Sequence, residues 1–384
     1  MKRKIYLMLF SIAMVVTFYY NGMDVLIAKY IAMSIFAFLF LMAVIKSGRE
    51  ADKPKIFRSW LGWFVLACLV NLLMSLNNRF SLEFIINLEI AMPLMVAFSA
   101  YYLFDIKREK LPYYMLPVCV AAAYFAVESV LSGLGGFVVS EFYDDDIAKN
   151  QIGAAFSSMA IICLVFLLEL KRPVLKIGYG ALSIICLYPA IFFACRTALL
   201  SYLFVAAILL FRDYKFKGLI ILGALIGAYA LFASDSIEAI LYDSVVGRRD
   251  SSDLDDLTSG RITHATQSLA YFFSHPFLGF YGSGDSFSQM PPNAHIFLLY
   301  RLTKWGILGA IPFIALYFSV FKIMIRSFRT KNMLTAGTLF LAFIESFSEY
   351  APPFGPGSCF VVTFILVGYY LRNDISKNYY LNKK

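Results

Sequence analysis

The sequence predicts an all-α polytopic membrane protein with about twelve membrane-spanning helices. Of its 384 residues, 60% are hydrophobic and only 15% are charged, and the mean hydropathy is +0.71. A water-soluble domain needs far more polar surface than this, so most of the chain must be solvated by lipid. Charged residues divide the chain into apolar runs that are long enough to cross, or nearly cross, a bilayer.

The apolar runs follow one another from the amino terminus to the tail. They lie at about 5–20, 25–45, 60–76, 82–104, 112–131, 152–170, 177–194, 197–211, 218–233, 304–321, 333–349 and 358–371. The first run could be mistaken for a signal peptide, but it has no small-residue cleavage site and leads directly into a second run. We therefore expect a retained membrane anchor there.

Every second connection between the runs is strongly basic. The amino terminus, the basic connections with their flanks, and the tail contain all but nine of the 34 lysine and arginine residues. These connections lie at 46–58, 107–110, 171–172, 212–217 and 322–331, and the tail starts at 372. The positive-inside rule assigns them, and therefore both termini, to the cytoplasm. Because the basic residues are dispersed among short loops, the net charge of +9 reflects topology and does not indicate nucleic-acid binding.

The predicted organisation has four parts. Residues 1–233 form spans 1–9, 234–303 form one long extracytoplasmic loop, 304–371 form spans 10–12, and 372–384 form a cytoplasmic tail. Inside the loop, residues 262–274 place apolar side chains at helical spacing, which predicts a short amphipathic helix on the membrane surface. These side chains are Ile262, Leu269, Ala270 and Phe273. The dipeptide His275-Pro276 then ends the helix.

Ionisable side chains near membrane depth are expensive, so those outside the basic connections are the candidates for function. Arg196 interrupts a nearly continuous apolar stretch, and its guanidinium would suit a phosphate. Alternatively, it is a topological arginine that reaches the lipid headgroups. Arg261 and His264 are three residues apart and share one helix face, or they form a solvated loop pair.

His295 stands where the polar loop re-enters the membrane, and Arg301 and Lys304 follow about two turns later on the same helix. A neutral imidazole there could accept a proton from a hydroxyl nucleophile. The alternative is an interfacial histidine bonded to a backbone carbonyl. His275 precedes a proline in a glycine-rich segment, so we expect it to be a turn residue rather than a catalytic one.

Carboxylates in or beside the spans could serve a proton-coupled transporter or could neutralise the arginines. They are Asp24, Glu83, Glu89, Glu128, Glu169, Glu345 and Glu349. The six cysteines show no paired spacing, and the acidic cluster at 250–256 lacks the spacing of an EF-hand loop. We therefore expect no disulfide framework, no metal site and no cofactor.

Four segments, in order, resemble the O-antigen ligase and Wzy O-antigen (capsular repeat-unit) polymerase superfamily. They are KNQIGAAFSSMAIICLVF (149–166), FFACRTALLSYLF (192–204), SGRITHATQSLAYFFSHPFLGFYGSG (259–284) and NAHIFLLYRLTKWGILGA (293–310). They correspond to the family's Asn-x-x-Gly, its Ser-Arg-x-x-Leu, its Gly-Arg with His-Pro-x-x-Gly, and its His-Asn-x-x-Leu with Gly-x-x-Gly. Cys195 and Ile296 stand where the family has serine and asparagine.

The resemblance implies a C-type glycosyltransferase-like fold and a metal-independent, inverting glycosyltransferase. A hydroxyl of the acceptor would attack the anomeric carbon of an undecaprenyl-pyrophosphate-linked donor glycan, at the periplasmic face of a bacterial inner membrane. Arg196 and Arg261 would hold the pyrophosphate, and His295 would be the general base or would orient the acceptor. Further substrate-binding candidates are His264, His275, Arg301, Lys304, Glu128 and Asn150.

The acceptor distinguishes two activities within this superfamily. A polymerase extends another lipid-linked repeat unit, which we favour, and a ligase transfers the glycan to lipid A–core. The implied partners are the lipid-linked donor and acceptor, membrane lipids, a chain-length regulator and a flippase. A different class, a lipid-linked oligosaccharide flippase or transporter, would require interrupted helices in both halves and repeat symmetry. A non-catalytic scaffold of an envelope assembly is a third alternative.

Overall fold

A computed structural model of the chain describes residues 2–23, 25–50, 54–75, 83–132, 145–193, 195–215, 218, 223, 260–283, 285, 289–349, 352–354 and 360–381. Within these ranges the protein is all-helical, without strands. The helices are α1 (Lys2–Met23), α2 (Leu26–Ser47), α3 (Lys55–Ser75), α4 (Glu83–Leu103), α5 (Leu111–Leu131), α6 (Asp145–Glu169), α7 (Pro173–Phe192), α8 (Arg196–Tyr214), α9 (Arg261–Ser274), α10 (Gly279–Ser283), α11 (Phe297–Arg329), α12 (Met333–Glu345) and α13 (Val361–Leu381). A 3-10 turn at Arg108–Lys110 precedes α5.

Six of these helices are long and apolar enough to cross a membrane, namely α1, α2, α5 with its 3-10 turn, α6, α7 and α11. Shorter apolar stretches lie in α4, α8, α12 and α13. The protein is therefore a helical membrane protein. A helix coincides with each predicted span except 218–233, which lies outside the described residues apart from 218 and 223. The total of twelve spans stays a prediction.

One end of the bundle is held together by cations on the last carbonyl groups of α4. Lys46 Nζ donates to Tyr102 O over 2.6 Å, and Arg372 Nη1 donates to the same oxygen over 3.0 Å. Arg3 Nε donates to Asp105 O over 2.6 Å. The last carbonyls of a helix have no intrahelical partner and carry partial negative charge, so basic side chains stabilise them.

Two carboxylates, Asp105 and Glu169, add ion pairs at this charged end. Asp105 Oδ2 lies 3.5 Å from Arg3 Nε and 3.8 Å from Arg372 Nη2, and Arg108 Nη2 lies 2.8 Å from Glu169 Oε1 at the end of α6. Five parts of the chain therefore meet at one end of the bundle: the amino terminus, the connections at 46–58 and 107–110, the end of α6 and the beginning of the tail. The sequence predicts all of them on one side of the membrane.

α6 occupies the centre of the bundle and is the most deeply buried of the six membrane-crossing helices. It packs on α1, α5, α7, α8 and α12, because small side chains between residues 153 and 160 let these helices approach closely. A Cβ atom on Gly153 would lie 2.7 Å from Cys195 Cβ. The absence of a side chain at Gly153 thus allows the beginning of α8, at Arg196, to lie directly against α6.

α11 begins earlier than predicted and is broken. Its first residue is Phe297, seven residues before the expected span, so that Arg301 and Lys304 share one helix, as the sequence predicts, and both are buried in it. Gly306 then has φ 61° and ψ −176°, a conformation that only glycine adopts readily.

The turn after α9 fills this break in α11. The N–H groups of Ile307 and Leu308 donate to the carbonyls of Pro276 and Phe277 over 2.8 and 3.1 Å. Gly279, with φ 62°, faces Gly306 so closely that a Cβ on Gly279 would lie 2.3 Å from Gly306 N. The glycines of the two separate motifs therefore form one backbone contact, which holds α9 and α10 against α11.

We predict that Gly279→Ala and Gly306→Ala each destabilise the protein by about 2–5 kcal/mol, because each adds a clash with backbone and strain at positive φ. Thermal unfolding in detergent should show a lower midpoint for both. The double variant should lose less than the sum of the two single losses, because either substitution already separates the turn from α11.

Gly178→Ala is the matched control for these glycines. No atom lies within 4 Å of a Cβ added at Gly178, so alanine there should raise the midpoint slightly through its helix propensity. Equal stability of all three variants would contradict the close approach of Gly279 to Gly306.

Candidate functional site

Arg261 joins three separate parts of the chain. It is the first residue of α9 and follows Gly260, whose φ of 74° begins the helix in the left-handed region. Its Nη1 donates to Thr197 Oγ1 at the start of α8 over 3.2 Å and to Ser348 O after α12 over 2.9 Å. Its Nη2 donates to Glu349 Oε1 over 2.8 Å. A half-buried guanidinium with three acceptors is thus fixed at one point of the bundle.

Glu349 connects this arginine to His295. Its second carboxylate oxygen, Oε2, lies 3.8 Å from His295 Nδ1. The backbone holds the two residues together, because Phe297 N, at the start of α11, donates to Ser346 O over 3.0 Å, and Glu349 N donates to Glu345 O over 2.8 Å. One carboxylate therefore faces both the fixed cation and the imidazole.

His264 completes the group by stacking on His295. The two rings are parallel within 13° and their centroids are 5.9 Å apart. The Nδ1 atoms of both rings are buried and make no hydrogen bond with the described residues. For His295 Nδ1, the predicted alternative of a bond to a backbone carbonyl is therefore not observed. We call Thr197, Arg261, His264, His295 and Glu349 the Arg261 cluster.

Arg196 and Asn150 lie on backbone segments close to the Arg261 cluster. Arg196 begins α8 and directly precedes Thr197, the hydroxyl acceptor of Arg261. Asn150 lies in α6 one turn before Gly153, which packs on Cys195. The side chains of Arg196 and Asn150 lie outside what the structure describes. Three of the four motif segments therefore meet at the start of α8.

Arg301 and Lys304 lie on the first half of α11, where both are buried. Lys304 Nζ donates to Pro291 O over 3.1 Å. The guanidinium of Arg301 lies 4.6 Å from the ring centroid of Phe313 and 5.2 Å from that of Tyr300. Such cation–π contacts stabilise a cation that is withdrawn from water. In this conformation the two side chains support the polar loop and the kinked helix.

His275 belongs to a second group around Tyr271, which lies ten residues further along α9 than Arg261, or about 15 Å at the helical rise. Its ring stacks on Tyr271 with centroids 4.7 Å apart, and its Nε2 lies 3.8 Å from Asp285 Oδ2. Gly279 N donates to His275 O over 3.0 Å. His275 thus occupies the turn, as the sequence predicts.

Tyr271 and Asp285 hold this second group together by a direct hydrogen bond from the hydroxyl to the carboxylate. That bond lowers the pKa of Asp285, with smaller contributions from Ser283 and His275. Burial, together with the neighbouring Asp285, raises the pKa of Tyr271 to about 12. Both groups therefore keep their hydrogen-bonded form, phenol with carboxylate, across the neutral pH range.

Glu128 is not part of either group. It lies in the last turn of α5, half-buried, and within the described residues its carboxylate makes no ion pair with the Arg261 cluster. Its backbone oxygen instead accepts hydrogen bonds from Ser132.

The sequence does not single out Glu349 as a site residue, because it is one of seven carboxylates in or beside the spans. One role expected for these carboxylates is to neutralise an arginine, and Glu349 does so by pairing with Arg261. The signal available was its place at the end of a predicted span, close in topology to the loop that carries Arg261. No sequence motif indicates Thr197 or Ser348, because Arg261 is bound by the hydroxyl of one and the backbone carbonyl of the other, and neither group has a characteristic sequence pattern.

We predict an energetic coupling of about 1–3 kcal/mol between Arg261 and Glu349 in a double-mutant cycle with Arg261→Gln and Glu349→Gln, because the pair is partly withdrawn from water. Their side chains are 26% and 15% exposed. Unfolding midpoints of the two single variants and the double variant in detergent would measure it.

The Arg108–Glu169 pair provides the matched cycle at the other end of the bundle. Its side chains are 45% and 29% exposed, so the coupling should not exceed about 1 kcal/mol. Equal coupling in the two cycles would contradict a special role for the Arg261–Glu349 pair in ordering the site.

Comparisons with known proteins do not place the chain in a family. No protein-family model matches it, and no curated protein is significantly similar to it in sequence. Within the described residues, no group of three or more His, Cys, Asp or Glu side chains is arranged to bind a metal ion.

Proposed function

We propose that this protein is a membrane glycosyltransferase that polymerises undecaprenyl-pyrophosphate-linked oligosaccharide repeat units into O-antigen or capsular polysaccharide at the periplasmic face of the bacterial inner membrane. The observation that carries the proposal is the Arg261 cluster. Its arginine, its two histidines and its glutamate come from three segments far apart in the chain, yet they share hydrogen bonds, an ion pair and a ring stack. Two of the three residues that the resemblance assigns to catalysis, Arg261 and His295, face the same carboxylate.

The fixed cation suits the leaving group of this reaction. When the bond between the anomeric carbon and the pyrophosphate breaks, negative charge builds on the phosphate oxygens, and cations fixed in advance stabilise it. A guanidinium offers paired N–H groups that match phosphate oxygens. Arg261 is half-buried and held by three acceptors, so it needs little reorganisation. Arg196, whose backbone adjoins Thr197, would supply the second cation.

The imidazole and the carboxylate suit the attacking group. The oxygen of the acceptor hydroxyl would form the new bond to the anomeric carbon while His295 takes the hydroxyl proton. Undecaprenyl pyrophosphate would leave from the opposite face of that carbon, with inversion. Glu349 Oε2 near Nδ1 would stabilise the resulting imidazolium and would leave Nε2 for the hydroxyl. His264, stacked on His295, would restrict the ring's orientation.

The arrangement of charges along the bundle supports the periplasmic orientation. The basic connections meet at the end of α6, where Arg108 pairs with Glu169. α7 then crosses the bundle over 20 residues before α8 begins at the Arg261 cluster. The cluster therefore lies at the end opposite to the basic connections, which the positive-inside rule assigns to the cytoplasm together with both termini.

The transporter alternative receives less support. It requires interrupted helices in both halves of the protein, whereas non-helical backbone inside a described helix is found at Gly306 in α11. Several ionisable side chains, including those of the Arg261 cluster, gather near one end, where a reaction on an outer-leaflet substrate would take place. The ligase alternative shares the same donor chemistry and differs only in its acceptor.

We predict that His295→Ala lowers glycan transfer by at least about 100-fold, because a general base typically contributes 10²–10⁴-fold. Arg261→Ala should lower it by about 100–1,000-fold through loss of charge stabilisation. The measurement is transfer by purified protein in detergent, supplied with undecaprenyl-pyrophosphate-linked repeat units and a metal chelator. Product ladders would identify a polymerase.

His295→Ala is the more decisive variant, because it leaves the hydrogen bonds of Arg261 intact and the fold with them. Arg108→Ala, which removes a cation at the opposite end of the bundle, is the matched control and should retain transfer. Normal transfer by both His295→Ala and Arg261→Ala would overturn the catalytic assignment.

We predict that a strain lacking the protein carries single repeat units on its lipid A–core, because an unextended unit can still be ligated. Electrophoresis of the surface glycan would detect them. Long polymer that stays attached to undecaprenyl pyrophosphate would instead identify the ligase activity.

A further inference from the structure

α9 has three distinct faces. Its inward face carries Arg261 and His264 of the Arg261 cluster, and Ser268, which donates to Pro292 O over 2.9 Å. Its exposed surface divides into an apolar stripe and a polar edge. The stripe consists of Ile262, Thr266, Leu269 and Phe273, the edge consists of Thr263, Gln267 and Ser274, and the small exposed side chain of Ala270 lies between the two. The stripe follows the i, i+4, i+7, i+11 spacing of one helix face.

The apolar stripe is large and carries no unsatisfied hydroxyl. Phe273 is 69% exposed, and Ile262 and Leu269 are exposed as well. The hydroxyl of Thr266 donates to the carbonyl of Ile262, one turn earlier, over 2.9 Å. This bond leaves the methyl group of Thr266 as its outward contribution. The stripe is therefore apolar over three turns of the helix.

The stripe continues through the next turn onto an exposed apolar surface of α11. Phe277 is 64% exposed, and Leu278 is exposed beside it. Their backbone is fixed to α11, because Leu308 N donates to Phe277 O over 3.1 Å. Ile307, Leu308 and Ile311 are exposed on α11, which is one of the helices that can cross the membrane. Hydrogen bonding therefore holds the turn beside the exposed apolar side chains of α11.

From this continuity we propose that α9 and the turn at 276–278 lie in the membrane interface and form a lipid-binding surface, with Ile262, Leu269, Phe273, Phe277 and Leu278 in contact with the acyl chains. The polar edge supports this occupant over a partner protein. It lies beside the stripe, about 100° around the helix axis, as expected for a helix that is parallel to the membrane with water above it.

The depth of the Arg261 cluster follows from this placement, whatever reaction the cluster performs. Arg261 and His264 lie on the face of α9 that turns away from both the lipid and the water. They would therefore be held near the level of the lipid headgroups. A phosphate carried by a membrane lipid could reach them without leaving that level.

The test places nitroxide spin labels at Leu269→Cys and Phe273→Cys in the full-length protein in phosphatidylethanolamine–phosphatidylglycerol nanodiscs. Gln267→Cys on the polar edge is the matched control on the same helix. Ile311→Cys on α11 is the reference inside the membrane. The unsubstituted protein, whose Cys119, Cys163, Cys186 and Cys195 are buried, gives the background from native thiols.

Labels at 269 and 273 should be relaxed by oxygen and protected from a water-soluble nickel chelate, as at 311, whereas the label at 267 should be relaxed by nickel. Nickel accessibility at 269 and 273 equal to that at 267 would overturn the proposal. So would dipolar broadening between labels that disappears on dilution with unlabelled protein, because that result would identify a second copy as the occupant. Neither readout depends on glycan transfer.

Discussion

The guanidinium of Arg261 is the point at which the separate parts of this protein meet. A half-buried cation must find acceptors for its N–H groups, and those acceptors can come only from the segments packed around it. Here they come from the start of α8, from Ser348 in the turn after α12, and from Glu349 directly after that turn. Glu349 Oε2 also lies 3.8 Å from His295 Nδ1, so the carboxylate that binds Arg261 faces the imidazole as well.

The break in α11 at Gly306 allows α9 and the turn after it to pack against α11. A continuous helix would satisfy its own N–H groups, but at Gly306 two of them turn to the carbonyls of Pro276 and Phe277. Unpaired backbone groups at membrane depth are costly, so irregular backbone is tolerated there only when another part of the chain satisfies it. The turn after α9 does so, and Gly279 and Gly306 allow the two backbones to touch. The loop is thereby fixed to the bundle.

Charge divides the bundle into two ends with different roles. At one end, cations donate hydrogen bonds to the last carbonyls of α4 and pair with nearby carboxylates. At the other end, Arg261 meets one carboxylate that it shares with a histidine. Arg301 and Lys304 have a third kind of environment, since they are buried largely among aromatic rings. The same residue type thus orients the chain, builds the site or supports the loop, according to what surrounds it.

Features that depend on local periodicity and on the contrast between lipid and water can be predicted from the amino-acid sequence of this protein. Apolar length located eleven of the observed helices, and the spacing of Ile262, Leu269 and Phe273 located α9 and its outward face. The contact partners of the charged side chains depend instead on how distant segments pack together. Arg261 and Glu349 are 88 residues apart, and no local pattern encodes a contact between them. The sequence predicts Arg301 and Lys304 on a helix after the polar loop, but their burial depends on how α11, the turn after α9 and the aromatic rings pack together.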